Sequence, residues 1–341
     1  MVYADTVIYD VSNRTAVLSG RVRLSDDERH LSAERVTYRS REQTVEASGN
    51  VHIGLPEDAG AVRSDYWFRD VVSDSSFGKG NVRFTRHKSD TLTIAAHSVS
   101  SHQLASRMRF AQNVTIRQGK WKAQSRIATF LREDELVILE EDARLFRASS
   151  ETVSVSAEAD RVELILKDNI IREMGLFSHA RIDLLSTRQD APSTSTVSSD
   201  TSRVTLEHQQ VTALRAFGRV NIRLETPGSA SSQLSGETAH ILFEDGEPNR
   251  IRIEGPGNLS HERSDGTLQA NIAGYGLTIE LIDSALHTVR VDSDAVCDLE
   301  GDRPMRLSGD RLTLMFELGI LVRAEVEGGV QGQYRSEGAR R

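Results

Sequence analysis

Two short sequence boxes alternate along the whole chain, and this repeat constrains the fold more than any other feature. The first box is a small residue, usually an acid, often Arg or Thr, an aliphatic residue, a spacer, and an aromatic or aliphatic residue, as in Ala33 to Tyr38 (AERVTY). The second box is a glycine or turn residue, a spacer and alternating aliphatic residues, as in Gly49 to Ile53 (GNVHI). Because a period of about 20 to 50 residues indicates stacked supersecondary units, the repeat decides the fold class before any local pattern does.

Both boxes alternate apolar and polar residues between Gly, Asn, Asp or Ser, which is typical of half-buried strands. The first box begins at Ala4, Ala33, Ser64, Ala96, Gln124, Ala159, Thr201, Gly236, Gly274 and Gly309. Successive starts lie 28 to 32 residues apart as far as Gln124 and 35 to 42 residues apart from there on. A unit of two such strands cannot bury its apolar face alone. The sequence therefore predicts an all-β, elongated fold of about ten two-strand repeats.

The small residues and glycines of the boxes predict irregular corners in the strands. Ala33 lies three residues before Val36 and so breaks strict alternation, and a β-bulge at that point would place both side chains inside. Glycine at the start of the second box permits a positive φ angle. We interpret both features as structural rather than as ligand contacts.

The change of period divides the chain into two sets of repeats. We predict five short-period units in residues 1–149, five longer units continuing the same body in residues 150–334, and a disordered tail in residues 335–341. The low-complexity segment Ser186 to Ser202 is interpreted as a solvated loop or linker. Leu131 to Glu141 has passable helical composition, but its place between two boxes favours a turn and a strand.

Composition narrows the class of protein. Only 5% of residues are aromatic, so the core must be mainly aliphatic, and the single Cys297, expected to be buried, excludes an internal disulfide framework. No apolar run approaches the roughly 18 residues that span a bilayer, and the start lacks the regions of a signal peptide. If the protein is exported, we expect the signal or anchor to be trimmed or to lie upstream. The net charge is −8, and we expect no segment that concentrates Lys and Arg into a block able to neutralise phosphates, and hence no nucleic-acid partner.

Motifs that carry chemistry are missing from the sequence. The ten histidines are scattered without ligand-type pairing, and no phosphate-cradling, nucleophile-elbow or dinucleotide motif occurs. We therefore predict no catalytic residue, no metal site and no cofactor, and expect most histidines at the surface. A solubilising outer stripe is predicted at the third place of the first box: Arg35, Arg126, Arg161, Arg203 and Arg311.

The alternating boxes resemble the OstA-like domain of lipopolysaccharide-transport proteins. The sharpest stretch is Ala33 to Tyr38 followed by Val45 to Val51 (VEASGNV), and the resemblance continues in weaker form to about residue 330. It implies a twisted β-jellyroll, open along one side, whose apolar inner face holds acyl chains while head groups stay in water. It also implies a periplasmic bridge that joins an inner-membrane transporter to an outer-membrane barrel through end-to-end pairing of terminal strands, with self-association as a further outcome.

The box pattern, together with this resemblance, gives a set of candidate lipid-binding residues, which are the apolar positions expected to face inward. They are Val22, Leu24, Val36, Tyr38, Val51, Ile53, Val82, Phe84, Val114, Ile116, Val162, Val220, Ile222 and Leu312. Ordinary core packing is the competing role for each of them. Terminal partners are expected near Ala4 to Tyr9 and near Ala324 to Val330.

Two other classes of protein remain open from the sequence alone. The first is a structural or adhesive extracellular β-solenoid with a solid core and no lipid ligand, although its coils would be shorter and more regular than these repeats. The second is an enzyme acting on polysaccharide, for which the scattered acids supply no convincing pair.

Overall fold

The computed structural model describes residues 1–25, 29–55, 59–102, 106–147, 153–187, 192–226, 230–282, 285–301, 304–317 and 320–334. These residues form 23 β-strands, and none of them is helical, which confirms the all-β prediction. None of the described segments is a helix long and apolar enough to cross a bilayer. The strands are β1 (Val2–Tyr3), β2 (Thr6–Asp10), β3 (Thr15–Ser25), β4 (His30–Arg39), β5 (Thr44–Gly54), β6 (Ala61–Asp70), β7 (Ser75–His87), β8 (Thr91–His102), β9 (Arg107–Gln118), β10 (Trp121–Leu131), β11 (Leu136–Arg147), β12 (Val153–Lys167), β13 (Ile170–Ser186), β14 (Ser193–Glu207), β15 (Gln210–Thr226), β16 (Ala230–Glu244), β17 (Glu247–Arg263), β18 (Leu268–Ile282), β19 (Ala285–Gly301), β20 (Met305–Gly309), β21 (Arg311–Glu317), β22 (Ile320–Glu327) and β23 (Gln331–Tyr334).

The chain forms two compact units with interleaved boundaries. Unit 1 comprises Met1–Leu145 and Asp160–Met174, and unit 2 comprises Phe146–Ala159 and Gly175–Arg341. In both units consecutive strands pair antiparallel, for example β4 with β5 and β15 with β16. Strands β4 and β5 have 10 and 11 residues, whereas β14 and β15 have 15 and 17. The longer sequence period thus corresponds to longer strands rather than longer loops. The tail 335–341 lies outside the described residues.

Strands that carry the second box have a β-bulge where that box begins, as in β3, β5, β7 and β15. In the β3–β4 pair, Ser19 faces Arg35 and Val22 faces Ala33, so that Gly20 and Arg21 together oppose a single residue. Gly20 and Arg21 have φ angles of +71° and +38°, the left-handed conformation that a bulge of this kind requires. The predicted corner is therefore present, and it explains why glycine opens the second box.

The acid of the first box and the glycine of the second box form one corner. A Cβ atom at Gly80 would lie 2.9 Å from the Asp65 Cβ, because the Asp65 side chain covers the glycine. Asn81 Nδ2 then donates a 2.9 Å hydrogen bond to the same Asp65 carboxylate. The equivalent sets are Asp5 with Gly20 and Arg21, Glu34 with Gly49 and Asn50, and Asp200 with Gly218 and Arg219.

The inward faces of strands that are not paired with each other meet in unit 1. Phe84 of β7 and Phe130 of β10 are fully buried, with ring centroids 5.5 Å apart. In the sheet, β7 pairs with β6 and with β8. The sheet of unit 1 therefore curls so that β7 packs against β10 across an interior, which buries the aliphatic side of each box.

The interpretation of Ser186 to Ser202 as a loop is wrong for Ser193 to Ser202. This part belongs to strand β14, and its register with β15 pairs Ser195 with Leu224. The inward serines are buried, and Ser199 Oγ lies 2.8 Å from Ser202 Oγ. Pairing with a long neighbouring strand and hydrogen bonding between small hydroxyls outweigh the loop-like composition. Residues 188–191 of this segment lie outside the described residues.

Two local predictions are confirmed. The segment Leu131 to Glu141 is a turn followed by a strand, since β10 ends at Leu131 and β11 begins at Leu136. Cys297 is a free, buried thiol, and burial raises its pKa to about 12.

Candidate functional site

An open apolar cavity lies on the inward face of unit 1, where its first strands come together. Its volume is about 340 Å³, within the range of small-molecule sites of roughly 300 to 1,000 Å³. The apolar side chains that line it come from β1 and β3 to β6: Val2, Leu24, Leu31, Val45, Ile53 and Trp67. We call this feature the N-terminal cavity.

The cavity exists because the inward face loses its cover at the first strands. Strands β1 and β2 follow each other along β3, and β3 is the only described strand with which either pairs. Val7 lies opposite the buried Leu18 in the β2–β3 register, yet Val7 is 59% exposed. Tyr38 lies on the same face of β4 as the buried Val36 and is 39% exposed. Apolar residues in inward register are thus accessible at this edge.

Trp67 forms one wall of the cavity, where the neighbouring strand β7 leaves space for the indole ring. Trp67 pairs with Gly78 across β6 and β7, and a Cβ at Gly78 would lie 2.6 Å from the indole ring. The indole is only 2% exposed. Glycine at this position lets the ring lie flat against the next strand.

The rim of the cavity carries two arginines and a histidine. Arg29, His30 and Arg69 all line it. Arg69 Nη2 lies 3.0 Å from Asp74 Oδ1, while its Nε atom is buried without a hydrogen-bond acceptor among the described residues. A buried donor without an acceptor costs free energy, so an oxygen atom of a ligand at this point would be stabilised. The cavity therefore combines an apolar interior with a donor-rich rim.

An aromatic cluster fills the interior of unit 1 further along the ladder. The ring of Phe84 lies 5.5 Å from Phe130 and 6.1 Å from Phe110, and all three are fully buried. The Arg86 guanidinium stacks on this cluster, with its carbon 5.7 Å from the Phe130 ring centroid. The interior is thus filled where these three rings lie.

A partly buried polar network ties three turns of unit 1 together, and it is formed by Arg86, Lys88, Glu135, Asp168 and Asn169. Glu135 Oε1 accepts a 2.6 Å hydrogen bond from Lys88 and lies 3.5 Å from Arg86 Nη2, while Glu135 Oε2 accepts from the Asp168 amide at 2.9 Å. Asn169 Nδ2 donates to the Arg86 carbonyl at 3.1 Å. Burial alone would raise the pKa of Glu135, but the hydrogen bonds from Lys88 and the Asp168 amide, with the nearby charges, lower it overall.

The sequence-predicted inward residues fall into two groups in the structure. Twelve of the fourteen are buried: Val22, Val36, Val51, Ile53, Val82, Phe84, Val114, Ile116, Val162, Val220, Ile222 and Leu312. Leu24 is half-buried and Tyr38 is exposed. Only Leu24 and Ile53 line the N-terminal cavity.

Sequence reasoning missed most of the cavity wall. Trp67 occupies the aliphatic place of the weak first box that begins at Ser64, so strict use of the box would have found it. Val45 and Leu31 lie two residues from the inward positions Ala47 and Ala33, and alternation along the strand carried that signal. Arg69 gave no signal, because nothing in the sequence distinguishes an arginine at an open edge from one on the outer face.

Within the described ranges, no group of three or more His, Cys, Asp or Glu side chains could hold a metal ion. His261 departs from the expected surface position. It is 1% exposed, and its Nδ1 atom lies 2.8 Å from Ser232 Oγ. The predicted outer stripe is exposed at all five positions: Arg35, Arg126, Arg161, Arg203 and Arg311.

The likeness of this chain to known proteins is found among solved structures. No family model matches the chain, and no curated protein matches it. Among solved structures it is similar to the crystal structure of LptH, the LptA-homologous periplasmic component of the lipopolysaccharide transport device of Pseudomonas aeruginosa. That match has 12% sequence identity and a TM-score of 0.22, and it covers 41% of this chain and 81% of the LptH chain.

Proposed function

We propose that this protein is a periplasmic carrier of lipopolysaccharide that shields acyl chains against the inward face of its strands and catalyses no reaction. The observation that carries the proposal is the N-terminal cavity, where apolar side chains in inward register are open to a ligand. The sequence resemblance of the repeated boxes to the OstA-like domain supports the choice of lipopolysaccharide over other lipids.

The chemistry of the cavity suits one end of an amphiphile. Each acyl methylene that Leu31, Val45 and Trp67 remove from water contributes about 0.8 kcal/mol, and these contacts have no direction, so a chain can slide along them. Arg29 and Arg69 at the rim are placed to bind an anionic group attached to such a chain.

The filled interior sets a condition on transport. Phe84, Phe110 and Phe130 leave no open volume at their position in unit 1. A chain that advances beyond the cavity must therefore displace aromatic rings or separate strands that pack across the interior. This protein accordingly takes up lipid near β1 to β6 and passes it on only when the interior opens.

End-to-end pairing is the proposed mode of assembly. Strand β2 is exposed along its length, with Ile8 63% exposed, and it pairs with β3. Strand β22 pairs with β21 and exposes Ile320 and Val322. Such edges accept a further strand from a partner. The proposed partners are inner-membrane transporter components, an outer-membrane barrel and further copies of this chain.

The test compares two adjacent residues on opposite faces of β4. Leu31 lines the cavity, and Ser32 points to the other face, opposite Arg23 and His52. A charge in the cavity costs the desolvation of an ion in an apolar site. We expect L31D to reduce copurifying lipopolysaccharide, measured by mass spectrometry of extracted lipid, at least about tenfold, because a loss of about 1.4 kcal/mol has that effect. We expect S32D to retain it.

The outcomes separate the carrier from the competing solid-core scaffold. Wild-type protein that carries no lipid with several acyl chains, when purified from cells that make lipopolysaccharide, would favour a scaffold. Equal loss of lipid in L31D and S32D would contradict the assignment of the cavity as the binding face. Thermal unfolding of both variants controls for loss of folding.

A further inference from the structure

The outer face of unit 1 carries a concentration of positive charge that the composition of the whole chain conceals. Residues 79 to 126 contain ten Lys and Arg side chains, of which Arg86 is buried, and a single acid, Asp90, in a protein of net charge −8. The expectation that Lys and Arg are nowhere concentrated is therefore wrong for this segment. Strands β7 to β10 fall within or across it.

The strand register gathers these cations into one groove. Arg63, Arg83, Ala95 and Thr115 face each other in turn across β6 to β9. The next outward row aligns Thr93 of β8, Arg117 of β9 and Lys122 of β10. A depression of about 370 Å³ lies between these rows and is lined by Arg83, Thr93, Ala95, Thr115 and Arg117. We call it the basic groove.

The cations in and beside the basic groove have no carboxylate partner among the described residues. Arg63, Arg83, Arg117 and Lys122 make no ion pair with any carboxylate of the described residues. Several exposed arginines elsewhere on the outer surface are ion-paired: Arg21 with Asp5, Arg126 with Glu141, Arg219 with Asp200, and Arg250 with Glu280. Asp65, which follows Arg63 on β6, accepts a hydrogen bond from Asn81 instead.

A neighbouring histidine responds to this positive charge. His52 pairs with Arg63 in the outward row of β5 and β6. Burial lowers the pKa of His52, and the charge of Arg63 lowers it further, as does His30. The charge of Arg63 thus acts across the strand pair on β5.

We propose that the basic groove binds a phosphate-class anion, with the guanidinium groups of Arg83 and Arg117 on either side and the threonine side chains of the floor beneath. Two planar guanidinium forks match the geometry of a phosphate, and charge-assisted hydrogen bonds of this kind are about twice as strong as neutral ones. Ala95 in the floor leaves space for the anion between the two arginines. The same chemistry is offered by free phosphate and by the phosphate of a lipid head group.

This site is independent of the proposed carrier function. The basic groove faces outward, since Arg63 and Arg83 alternate with the buried residues Val62 and Phe84 of the same strands. A charge at Leu31 and a neutral side chain at Arg83 therefore act on opposite faces of the sheet. Failure of one proposal leaves the other standing.

The experiment removes the charges of the groove in the full chain. R83Q/R117Q is compared with wild type and with R21Q/R126Q, which removes two exposed arginines that are ion-paired. Binding of inorganic phosphate is measured by calorimetry, and flotation is measured with phosphatidylcholine vesicles with and without phosphatidic acid. We expect wild type and R21Q/R126Q to bind alike and R83Q/R117Q to bind at least about tenfold more weakly, with the signal decreasing as salt is added.

The two arms identify the source of the phosphate. Binding in calorimetry without flotation assigns the groove to free phosphate, and flotation that requires phosphatidic acid assigns it to a lipid head group; both support the proposal. Wild type that binds neither probe, or equal losses in R83Q/R117Q and R21Q/R126Q, would overturn it. Tighter binding of an oligothymidylate than of either phosphate probe would also overturn it, in favour of a nucleic-acid surface. The exposed positions of Arg83 and Arg117 allow both variants to fold, which thermal unfolding verifies.

Discussion

At the scale of the residue, Gly80 meets two separate requirements. Its φ angle is +75°, which disfavours any residue with a Cβ atom, and the Asp65 side chain occupies the space that a Cβ would need. Gly255 meets only the first requirement, because its φ is +82° and no atom lies within 4 Å of its Cβ position. The pair therefore separates backbone strain from steric contact.

We predict that G255A costs about 1 to 2 kcal/mol of unfolding free energy, the usual cost of left-handed backbone for an L-residue. G80A costs at least about 1 kcal/mol more, because the hydrogen bond from Asn81 to Asp65 is also displaced. Urea unfolding measures both. In a double-mutant cycle, D65A/G80A should lose less than the two single variants together, and strict additivity would contradict the contact between the acid and the glycine.

Cys297 gives a second prediction at this scale. Its thiol is fully buried and its pKa is raised to about 12, so almost no thiolate exists near pH 8. We expect a thiol reagent to label the native protein at least about a hundredfold more slowly than the urea-unfolded chain. Labelling at equal rates would show that the strands around Cys297 open freely.

At the scale of the element, the polar network holds the turns of unit 1 together through Glu135. E135Q keeps the side-chain shape but removes the carboxylate charge beside the buried Arg86 and the neighbouring Lys88. We predict a loss of about 1 to 3 kcal/mol in unfolding free energy. The control is E133Q, an exposed residue in the same turn, which should stay within about 0.5 kcal/mol of wild type. Equal effects would mean that the network contributes nothing.

The pH dependence of this contribution follows from the lowered pKa of Glu135. A carboxyl whose pKa is lower in the folded state than in the unfolded chain stabilises above the unfolded value and loses that effect as pH falls through the folded value. The stability difference between wild type and E135Q should therefore be largest near neutral pH and shrink below about pH 4. A difference that grows in acid would contradict the assigned sign.

Which segments form strands was largely predictable from the sequence, but what packs against each strand was not. Alternation placed Val36 and Val51 inward because a period of two has only two faces. It failed at Ser193 to Ser202, where the neighbouring strand decides the conformation. It also failed to separate Tyr38, exposed at an open edge, from Phe84, buried against β10, because both have the same pattern and differ only in what packs across the interior.

At the scale of the whole molecule, the exposed apolar edge of β2 is the feature most open to a partner. Val7 and Tyr9 are 59% and 57% exposed on a strand that β3 pairs on one side. We predict concentration-dependent association of the wild type in sedimentation velocity, and V7K/Y9K should abolish it because charged edges resist strand addition. V72K, at a residue 73% exposed in the turn after β6, is the control. Association that V7K/Y9K leaves intact would place the contact elsewhere.

Charge shows most clearly what a sequence hides at this scale. Arg63, Arg83, Arg117 and Lys122 are separated by up to 59 residues, and only the strand register aligns them on one face. The net charge of the chain gave the opposite impression. The repeat predicted about ten pairs of strands, and the described residues form 23 strands. It did not predict which outward-facing rows of the sheet would bring unpaired cations together.

The corners at Gly20, Gly49, Gly80 and Gly218 have one more consequence. Each corner is completed by an acid from the preceding part of the chain, so every corner joins two successive segments in the same way. A gene duplication or deletion that adds or removes one whole pair of strands therefore regenerates a complete corner at the junction. One that adds a single strand leaves an acid with no glycine beneath it. Such a chain can change its length in evolution, but only in steps of two strands.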